Sequence, residues 1–119
     1  MFIKEASQKS GATQRAIRLY ESLGLLEVER SGKYRVYSHT NINLIKIIKE
    51  AQSLGIRLSE LVALKNEQED FDWQRVSDFL LDKQASIEVE IKTLQAQKAR
   101  MEEYRVSINQ CVQGLDSNP

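Results

Sequence analysis

The sequence predicts a mainly α-helical chain in which a winged helix-turn-helix domain precedes a long coiled-coil helix. Short helical stretches broken by glycines fill the first part of the 119-residue chain, whereas apolar residues recur every seven positions in the second part. The charges divide in the same place: residues 1–66 carry 11 Lys+Arg and 6 Asp+Glu, and residues 67–119 carry 6 and 11. A basic first half and an acidic second half indicate different roles, and the basic half is suited to a polyanion.

The first two helices have the spacing of a helix-turn-helix. The stretch FIKEASQKSG predicts a brief helix that ends at Gly11, a residue suited to a left-handed helix cap. Thr13 fits the N-cap of a second helix, which runs to about Leu23 before Gly24 stops it. The gap of about three residues between the two helices is typical of the motif.

A small hairpin, or wing, is predicted after the second helix. The turn signal SG separates Val28 from YRVY, and apolar and polar residues alternate on both sides. Thr40 or Asn41 then caps a third helix, which Gly55 closes, and Ser59 caps a short fourth helix, ELVALK. The predicted buried face of the third helix consists of Leu44, Ile47, Ile48, Ala51 and Leu54.

The second half of the chain predicts a dimerising helix. Apolar residues from Leu80 to Leu115 lie seven positions apart, while Gln84, Lys98 and Arg105 occupy places in the complementary set. One helix cannot bury such a seam alone, and a second copy of the chain is the simplest partner. The alternative is a long helix that folds back on its own domain. The predicted dimerisation residues are Ile87, Ile91, Leu94, Met101, Ile108 and Val112.

The acidic stretch NEQED marks the predicted domain boundary. We therefore expect a winged helix-turn-helix domain at residues 1–70 and a linker helix at 71–82. A coiled-coil dimerisation helix at 83–113 and a disordered tail at 114–119 complete the predicted organisation.

The second helix carries a basic strip. On a helical wheel, Gln14, Arg15, Arg18 and Ser22 fall within one arc of about 100°. Arginines spaced three residues apart are suited to guanine edges and phosphate oxygens, and this is the helix that enters the major groove in a helix-turn-helix. The alternative is an ordinary solvated basic face. The arc predicted to be core consists of Ala16, Leu19, Tyr20 and Leu23.

The predicted wing supplies further candidates for DNA contact. Lys33, Tyr34, Arg35 and Tyr37 place cations and phenolic hydroxyls at a hairpin tip, where phosphate contacts are typical. The alternative for the tyrosines is packing on a half-buried strand, and we expect one of the two to pack mostly in this way.

These motifs together resemble those of the MerR family of bacterial transcription regulators. TQRAIRLYESLGLL, GKYRVY and LIKIIKEAQSLGIRLSEL stand in the order and spacing of the corresponding family patterns. The close resemblance covers residues 1 to about 65 and extends loosely over the long helix. Leu19 stands where members often have an aromatic residue, Lys33 changes the wing turn by one residue, and Arg57 offers an additional phosphate contact. The resemblance implies DNA contacts by Arg15, Arg18, Tyr20, Tyr34, Arg35 and Tyr37.

The resemblance also implies how such a chain acts. Family members form antiparallel coiled-coil homodimers that bind a palindrome in promoter double-stranded DNA and distort it. RNA polymerase is then affected indirectly, through the shape of the DNA. We accordingly expect DNA and a second copy of the chain as partners, and no cofactor.

Effector residues are less clearly marked in the sequence. Cys111 is the single cysteine and His39 the single histidine, whereas soft metals need two or three converging ligands, so no metal site is expected. Cys111 is a candidate sensor of oxidants or electrophiles, with a structural role as the alternative. Phe71 and Trp73 are candidates for lining an effector pocket, with packing against the first domain as the alternative.

Other classes of protein find little support. No apolar run approaches the ~18 residues of a membrane span, no export leader is recognised, and the lone cysteine fits a reducing compartment, so we expect a cytoplasmic protein. The sequence contains no nucleophile-and-base constellation and no glycine-rich phosphate loop, so we expect no enzyme. The remaining alternative is a coiled-coil adaptor whose winged domain does not bind DNA.

Overall fold

The computed structural model describes residues 1–65 and 70–116, with side chains as far as residue 114. The chain divides into two compact units, Met1–Trp73 and the helix from Gln74 onward. The predicted fold class is confirmed, because a helix-turn-helix, a wing and a long helix follow one another. The elements are α1 (Ile3–Ser10), α2 (Gln14–Ser22), β1 (Glu29–Ser31), β2 (Tyr34–Val36), α3 (His39–Ser53), α4 (Leu58–Ala63) and α5 (Trp73–Asp116).

The helix-turn-helix forms as its end signals predict. Gly11 follows α1 with φ 78°, in the left-handed region, and its N–H donates to the carbonyl of Ser7 at 3.0 Å. Thr13 begins α2 by accepting a hydrogen bond on Oγ1 from the N–H of Ala16 at 3.1 Å. Gly11–Thr13 is therefore a three-residue turn, and the predicted spacing is confirmed.

The wing is an antiparallel hairpin of β1 and β2. Gly32 and Lys33 form its two-residue turn, and Gly32 has φ 62°, which a residue with a Cβ adopts at a cost. Just after β2, the N–H of Tyr37 donates to the carbonyl of Met1 at 2.6 Å, and the amino group of Met1 donates to the carbonyl of Tyr37 at 3.0 Å. The base of the wing is thus held by the first residue of the chain.

The cap of α3 differs from the sequence prediction. Ser38 is the N-cap, rather than Thr40 or Asn41. Its Oγ accepts from the N–H of Asn41 at 3.1 Å, and Oδ1 of Asn41 accepts from the N–H of Ser38 at 2.9 Å. This reciprocal pair satisfies two helix-end donors, and it moves the start of α3 toward the wing.

The buried face of α3 was also predicted incorrectly in part. Ile42, Ile45 and Ile48 are buried, whereas Ile47 and Leu54, which the sequence placed in the core, are exposed. The helix packs against α1 and α4, and the position of these neighbours selects which apolar residues face inward.

The short helix α4 begins after Arg57 and not after Ser59, as the sequence suggested. Oε1 of Glu60, inside the helix, accepts a hydrogen bond from the N–H of Arg57 at 3.1 Å. The carboxylate therefore satisfies the N–H of Arg57, the residue before the helix, and α4 begins two residues earlier than a cap at Ser59 would allow.

The core of the first unit is built from side chains of α2, α3 and the segments that flank the wing. Tyr37, Ile17, Leu25, Ile45 and Ile48 are its largest fully buried side chains. Burial of each contributes roughly 1.5–3 kcal/mol to folding. Aromatic and aliphatic groups from both ends of the wing thus join it to the helices.

The second unit is one continuous helix. α5 runs without a break from Trp73 to Asp116, so the division into a linker helix at 71–82 and a coil at 83–113 stays a prediction about one helix. Residues 114–116, predicted as part of a disordered tail, are helical, and residues 117–119 lie outside the described residues. A single glycine costs a helix only about 1 kcal/mol, so Gly114 does not end it.

The six residues of α5 that the sequence predicts for dimerisation are exposed in the single chain. Among the described residues, no helix is both long enough and apolar enough to cross a membrane. The exposed seam residues are Ile87, Ile91, Leu94, Met101, Ile108 and Val112.

Candidate nucleic-acid interface

Side chains of α3 form hydrogen bonds to α2 and to the turn of the helix-turn-helix. The hydroxyl of Tyr20 on α2 donates to Oε1 of Gln52 at 2.6 Å, and Nζ of Lys49 donates to the carbonyl of Gly11 in the turn at 2.6 Å. Ile17, on the same side of α2, is fully buried. Sequence reasoning missed Lys49 and Gln52, since neither belongs to a local motif.

The opposite side of α2 carries the predicted basic strip. Gln14, Arg15 and Arg18 are all exposed, and the two arginines lie three residues apart. Because α2 is anchored by its buried side, these guanidinium groups stand on a fixed surface and point away from the core. The predicted exposure of this strip is confirmed, and its contact with DNA stays a prediction.

The apolar arc predicted for α2 requires a correction. Leu19 and Leu23 are 46% and 39% exposed, whereas Ile17, which the wheel placed in neither arc, is fully buried beside Tyr20. The buried stripe of α2 is therefore rotated away from Leu19. Ala16 lies at its edge and is half-buried.

The wing carries several cations, and its exposed tyrosine contacts a second aromatic ring and a lysine. Tyr34 is 58% exposed, its ring centroid lies 5.6 Å from that of Phe2, and Nζ of Lys33 lies 5.5 Å from the Tyr34 centroid. Arg30 stands opposite Arg35 in the register of the hairpin, so the two side chains share one face. Arg30 was missing from the sequence prediction, although its place across the strand from Arg35 could have shown it.

An ion pair joins the wing to the second helix. Nε of Arg35 donates to Oε1 of Glu21 at 3.0 Å and lies 2.7 Å from Oε2. The hydrogen bond to Glu21, followed by the charge of the same carboxylate, raises the pKa of Arg35 above its ordinary value. Glu21 was not among the predicted site residues, since a pairing across fourteen positions leaves no periodic signal.

Two of the predicted contact tyrosines lie in the core. Tyr20 and Tyr37 are 2% and 1% exposed, so direct DNA contact by either would require its side chain to leave the core. Among the residues that the structure describes, the hydroxyl of Tyr37 has no hydrogen-bond partner. Burial raises the pKa of Tyr37; the charge of Glu21 raises it further, and Arg35 and Arg18 lower it, so these four groups lie within electrostatic reach.

Arg57, the last predicted DNA contact, is the N-cap residue of α4. Its side chain is largely exposed, and its Nε lies 3.3 Å from Oε1 of Glu60. The guanidinium is therefore accessible while one of its nitrogens faces a carboxylate.

The effector candidates occupy different units. The rings of Phe71 and Trp73 stack with centroids 5.5 Å apart, and Phe71 lines a cavity of about 390 Å³ together with Leu25, Val36 and Leu44. Cys111 lies exposed on α5. No group of three His, Cys, Asp or Glu side chains able to hold a metal ion occurs in the described part of the chain.

Comparisons with known proteins agree with this architecture. The family model of the MerR HTH family regulatory proteins matches residues 1–68. The regulator HmrR of Rhizobium leguminosarum bv. viciae is 37% identical over 73 residues, which are 60% of this chain and 57% of that protein. The regulator CueR of Salmonella typhi is 31% identical over 106 residues, which cover 85% of this chain and 76% of CueR.

The fold is shared with a solved regulator. The crystal structure of the transcription regulator PbrR691 from Ralstonia metallidurans CH34, in complex with lead(II), matches with a TM-score of 0.65. The two sequences are 21% identical, and the match covers 88% of this chain and 85% of PbrR691. With a family match over the whole winged unit and a relative that is similar along most of the chain, this protein belongs to the MerR family of helix-turn-helix transcription regulators.

Proposed function

We propose that this chain regulates transcription by binding a promoter palindrome as a homodimer and distorting the DNA. The observation that carries the proposal is the arrangement of α2. Arg15 and Arg18 are exposed on one side, while Ile17 and Tyr20 anchor the other side in the core. A helix held in this way can insert its arginines into a major groove without reordering its own backbone.

The wing extends the same interface to the phosphates. Arg30, Lys33 and Arg35 supply positive charge, and exposed Tyr34 supplies a hydroxyl, all on a hairpin next to α2. Arg57 provides a further cation from α4. In this proposal Tyr20 and Tyr37 support the interface from within the core rather than contact DNA.

A second copy of the chain is the proposed partner of α5. Its six predicted dimerisation residues are exposed in the single chain and fall on two positions of one seven-residue repeat. In a parallel pair, Lys98 would face Lys98 and Arg105 would face Arg105, whereas an antiparallel pair sets both against apolar residues of the other copy. The charges of the seam therefore favour the antiparallel arrangement that the family resemblance implies.

One of the two seam cations carries its own counter-ion. Nε and a terminal nitrogen of Arg105 bond to the two carboxylate oxygens of Glu102 at 2.9 and 2.6 Å. The hydrogen bond from Arg105 lowers the pKa of Glu102, because it favours the charged carboxylate. The pair reduces the net charge that the dimer interface must accommodate.

An antiparallel dimer would present two winged units to two half-sites of a palindrome. Bending DNA between such sites costs on the order of 1–6 kcal/mol, and contacts by both wings would supply it. RNA polymerase is then affected through the DNA, in the cytoplasm, with no catalytic step by the protein.

Phe71 and Trp73 are the proposed effector contacts because they stack beside a cavity, and exposed Cys111 is the proposed site for oxidants or electrophiles.

The experiment starts with selection of duplexes from a random-sequence pool by the full chain. Affinity for the selected duplex is then measured by fluorescence anisotropy over a range of salt concentrations. The proposal predicts a steep loss of affinity with salt, and a loss of about 1–3 kcal/mol for each of Arg15→Ala and Arg18→Ala.

The matched control removes the same charge elsewhere. Lys92 and Arg100 are exposed on α5 outside the seam, so Lys92→Ala with Arg100→Ala should leave affinity nearly unchanged. If Arg15→Ala with Arg18→Ala kept full affinity, the assignment of α2 would be wrong. Absent or salt-insensitive binding of every duplex by the wild-type chain would favour the adaptor alternative.

A further inference from the structure

Glu21 is the single acidic residue of α2, on a helix whose exposed charges are otherwise positive. It does not point into free solvent: its side chain is 21% exposed, and its carboxylate contacts Nε of Arg35 on the wing. An acid at this place would ordinarily weaken the approach of DNA, because it repels phosphates. Its contact with Arg35 indicates a different role.

The contact leaves Arg35 able to bind a second anion. The hydrogen bond to Glu21 uses Nε, at one edge of the planar guanidinium, and the side chain is still 40% exposed. The two terminal nitrogens form the other edge, and a guanidinium can bind two anions through separate edges, which a lysine ammonium does less well. A carboxylate on one edge thus orients the other edge.

The surrounding charges make this orientation important. Arg30 stands directly opposite Arg35 on the same face of the hairpin, and like charges in that relation repel. Arg18 lies one turn before Glu21 on α2. Without the carboxylate, Arg35 would be expected to turn away from the other two cations and lose its fixed position.

We propose that Glu21 is a positioning residue for DNA binding, which holds Arg35 so that the wing and the recognition helix meet the phosphates as one rigid surface. The inference rests on the proposed function, and it adds an acidic residue to a basic interface. It predicts a change in DNA affinity opposite in sign to the change expected from the net charge alone. Loss of the negative charge weakens binding, although it raises the net positive charge of the domain.

The test uses the full chain and the duplex selected by the wild-type protein from a random-sequence pool. Glu21→Gln keeps the size of the side chain and removes its charge. We expect its Kd to rise about tenfold. The slope of log affinity against log salt should also decrease, by the amount that corresponds to about one lost phosphate contact per winged unit. Glu29→Gln is the matched control, because Glu29 is an exposed acid on β1 opposite Val36, and its affinity should stay equal or increase slightly.

Variants of Arg35 test whether Glu21 acts on DNA binding through Arg35. Arg35→Lys keeps the positive charge but cannot hold two anions on separate edges, so it should lose affinity to about the same extent as Glu21→Gln. Addition of Glu21→Gln to Arg35→Gln should cause no further loss, because Glu21 acts through Arg35. Circular dichroism of each variant checks that the helices remain.

The outcomes distinguish the two levels of the proposal. If the wild-type chain binds no duplex, the proposed function itself fails. If the wild-type chain binds and Glu21→Gln binds equally well or more tightly, only the role of Glu21 is overturned. A full loss from Glu21→Gln in the Arg35→Gln background would overturn it as well, because Glu21 would then act by another route.

Discussion

The hydroxyl of Tyr20 and the side-chain amide of Gln52 lie 2.6 Å apart and join α2 to α3. The bond connects residues that are 32 positions apart in the chain. The ring of Tyr20 packs in the core beside Ile17, and its hydroxyl bond to α3 is consistent with the rotation of α2 that this packing gives. This rotation determines that Arg15 and Arg18 face outward.

Tyr20→Phe should lower the free energy of unfolding by about 1 kcal/mol, since it removes this hydrogen bond and keeps the ring. Urea unfolding followed by circular dichroism measures the change. Tyr34→Phe is the control, because the Tyr34 side chain is largely exposed and its hydroxyl can bond to water instead. Equal effects of the two variants would show that the bond to Gln52 contributes nothing.

Tyr37→Phe should have the opposite effect on stability. The Tyr37 hydroxyl is buried without a partner among the described residues, and such a group costs about 1–3 kcal/mol. Its removal should therefore raise the free energy of unfolding by about 1 kcal/mol. A lower thermal midpoint for Tyr37→Phe than for the wild-type chain would mean that the hydroxyl has a partner in solution.

The stability of the first unit should fall at alkaline pH. Burial raises the pKa of both Tyr20 and Tyr37 above the ordinary value of 10.0. The unfolded chain then releases these protons at a lower pH than the folded chain, so their contribution is complete below pH 10 and declines above it. Urea titrations at successive pH values should show this decline, and the double variant Tyr20→Phe with Tyr37→Phe should reduce it. If the double variant lost as much stability at alkaline pH as the wild-type chain, other groups would be the cause of the loss.

The cap of α3 offers a direct comparison of two neighbouring hydroxyls. Ser38→Ala should cost about 1 kcal/mol of stability, because Ser38 accepts from the N–H of Asn41. Thr40→Ala, at the position that the sequence suggested, should change stability by less than about 0.5 kcal/mol. Both changes are measured by urea unfolding. A larger loss of stability for Thr40→Ala than for Ser38→Ala would show that Thr40 is the cap.

Charges in the seam of α5 should separate the dimer. Leu94→Asp with Met101→Asp would bury two carboxylates at the interface, so light scattering should report the mass of a single chain. Val89→Asp is the control, because Val89 is equally exposed in the single chain but lies outside the seam. A dimer that persists in the double variant would show that the seam is not the interface.

Much of the architecture was accessible from local patterns. The cap at Thr13, the glycine at Gly11 and the turn at Gly32 each act within a few residues, and all three stand where the sequence predicted them. The helical period also placed Arg15 and Arg18 on one exposed strip. These features depend on backbone geometry and on neighbours along the chain, which a sequence displays directly.

The errors in the predicted buried faces share one physical cause. Leu19, Leu23, Ile47 and Leu54 were assigned to buried faces, yet all four are exposed in the structure. A helical wheel shows which residues share a side, but the packing of α2 and α3 against their neighbours decides which side turns inward. Ile17 is the buried residue that the wheel did not select.

The sequence by itself determined the order of the elements, the turn of the helix-turn-helix, the seven-residue period of α5 and the family to which these motifs belong. Only the tertiary structure decided the rotation of α2, the burial of Tyr37 and the pairing of Glu21 with Arg35. The first group depends on contacts within one or two turns of chain. The second depends on side chains that meet only after distant segments have packed, so their partners leave no mark in the local sequence.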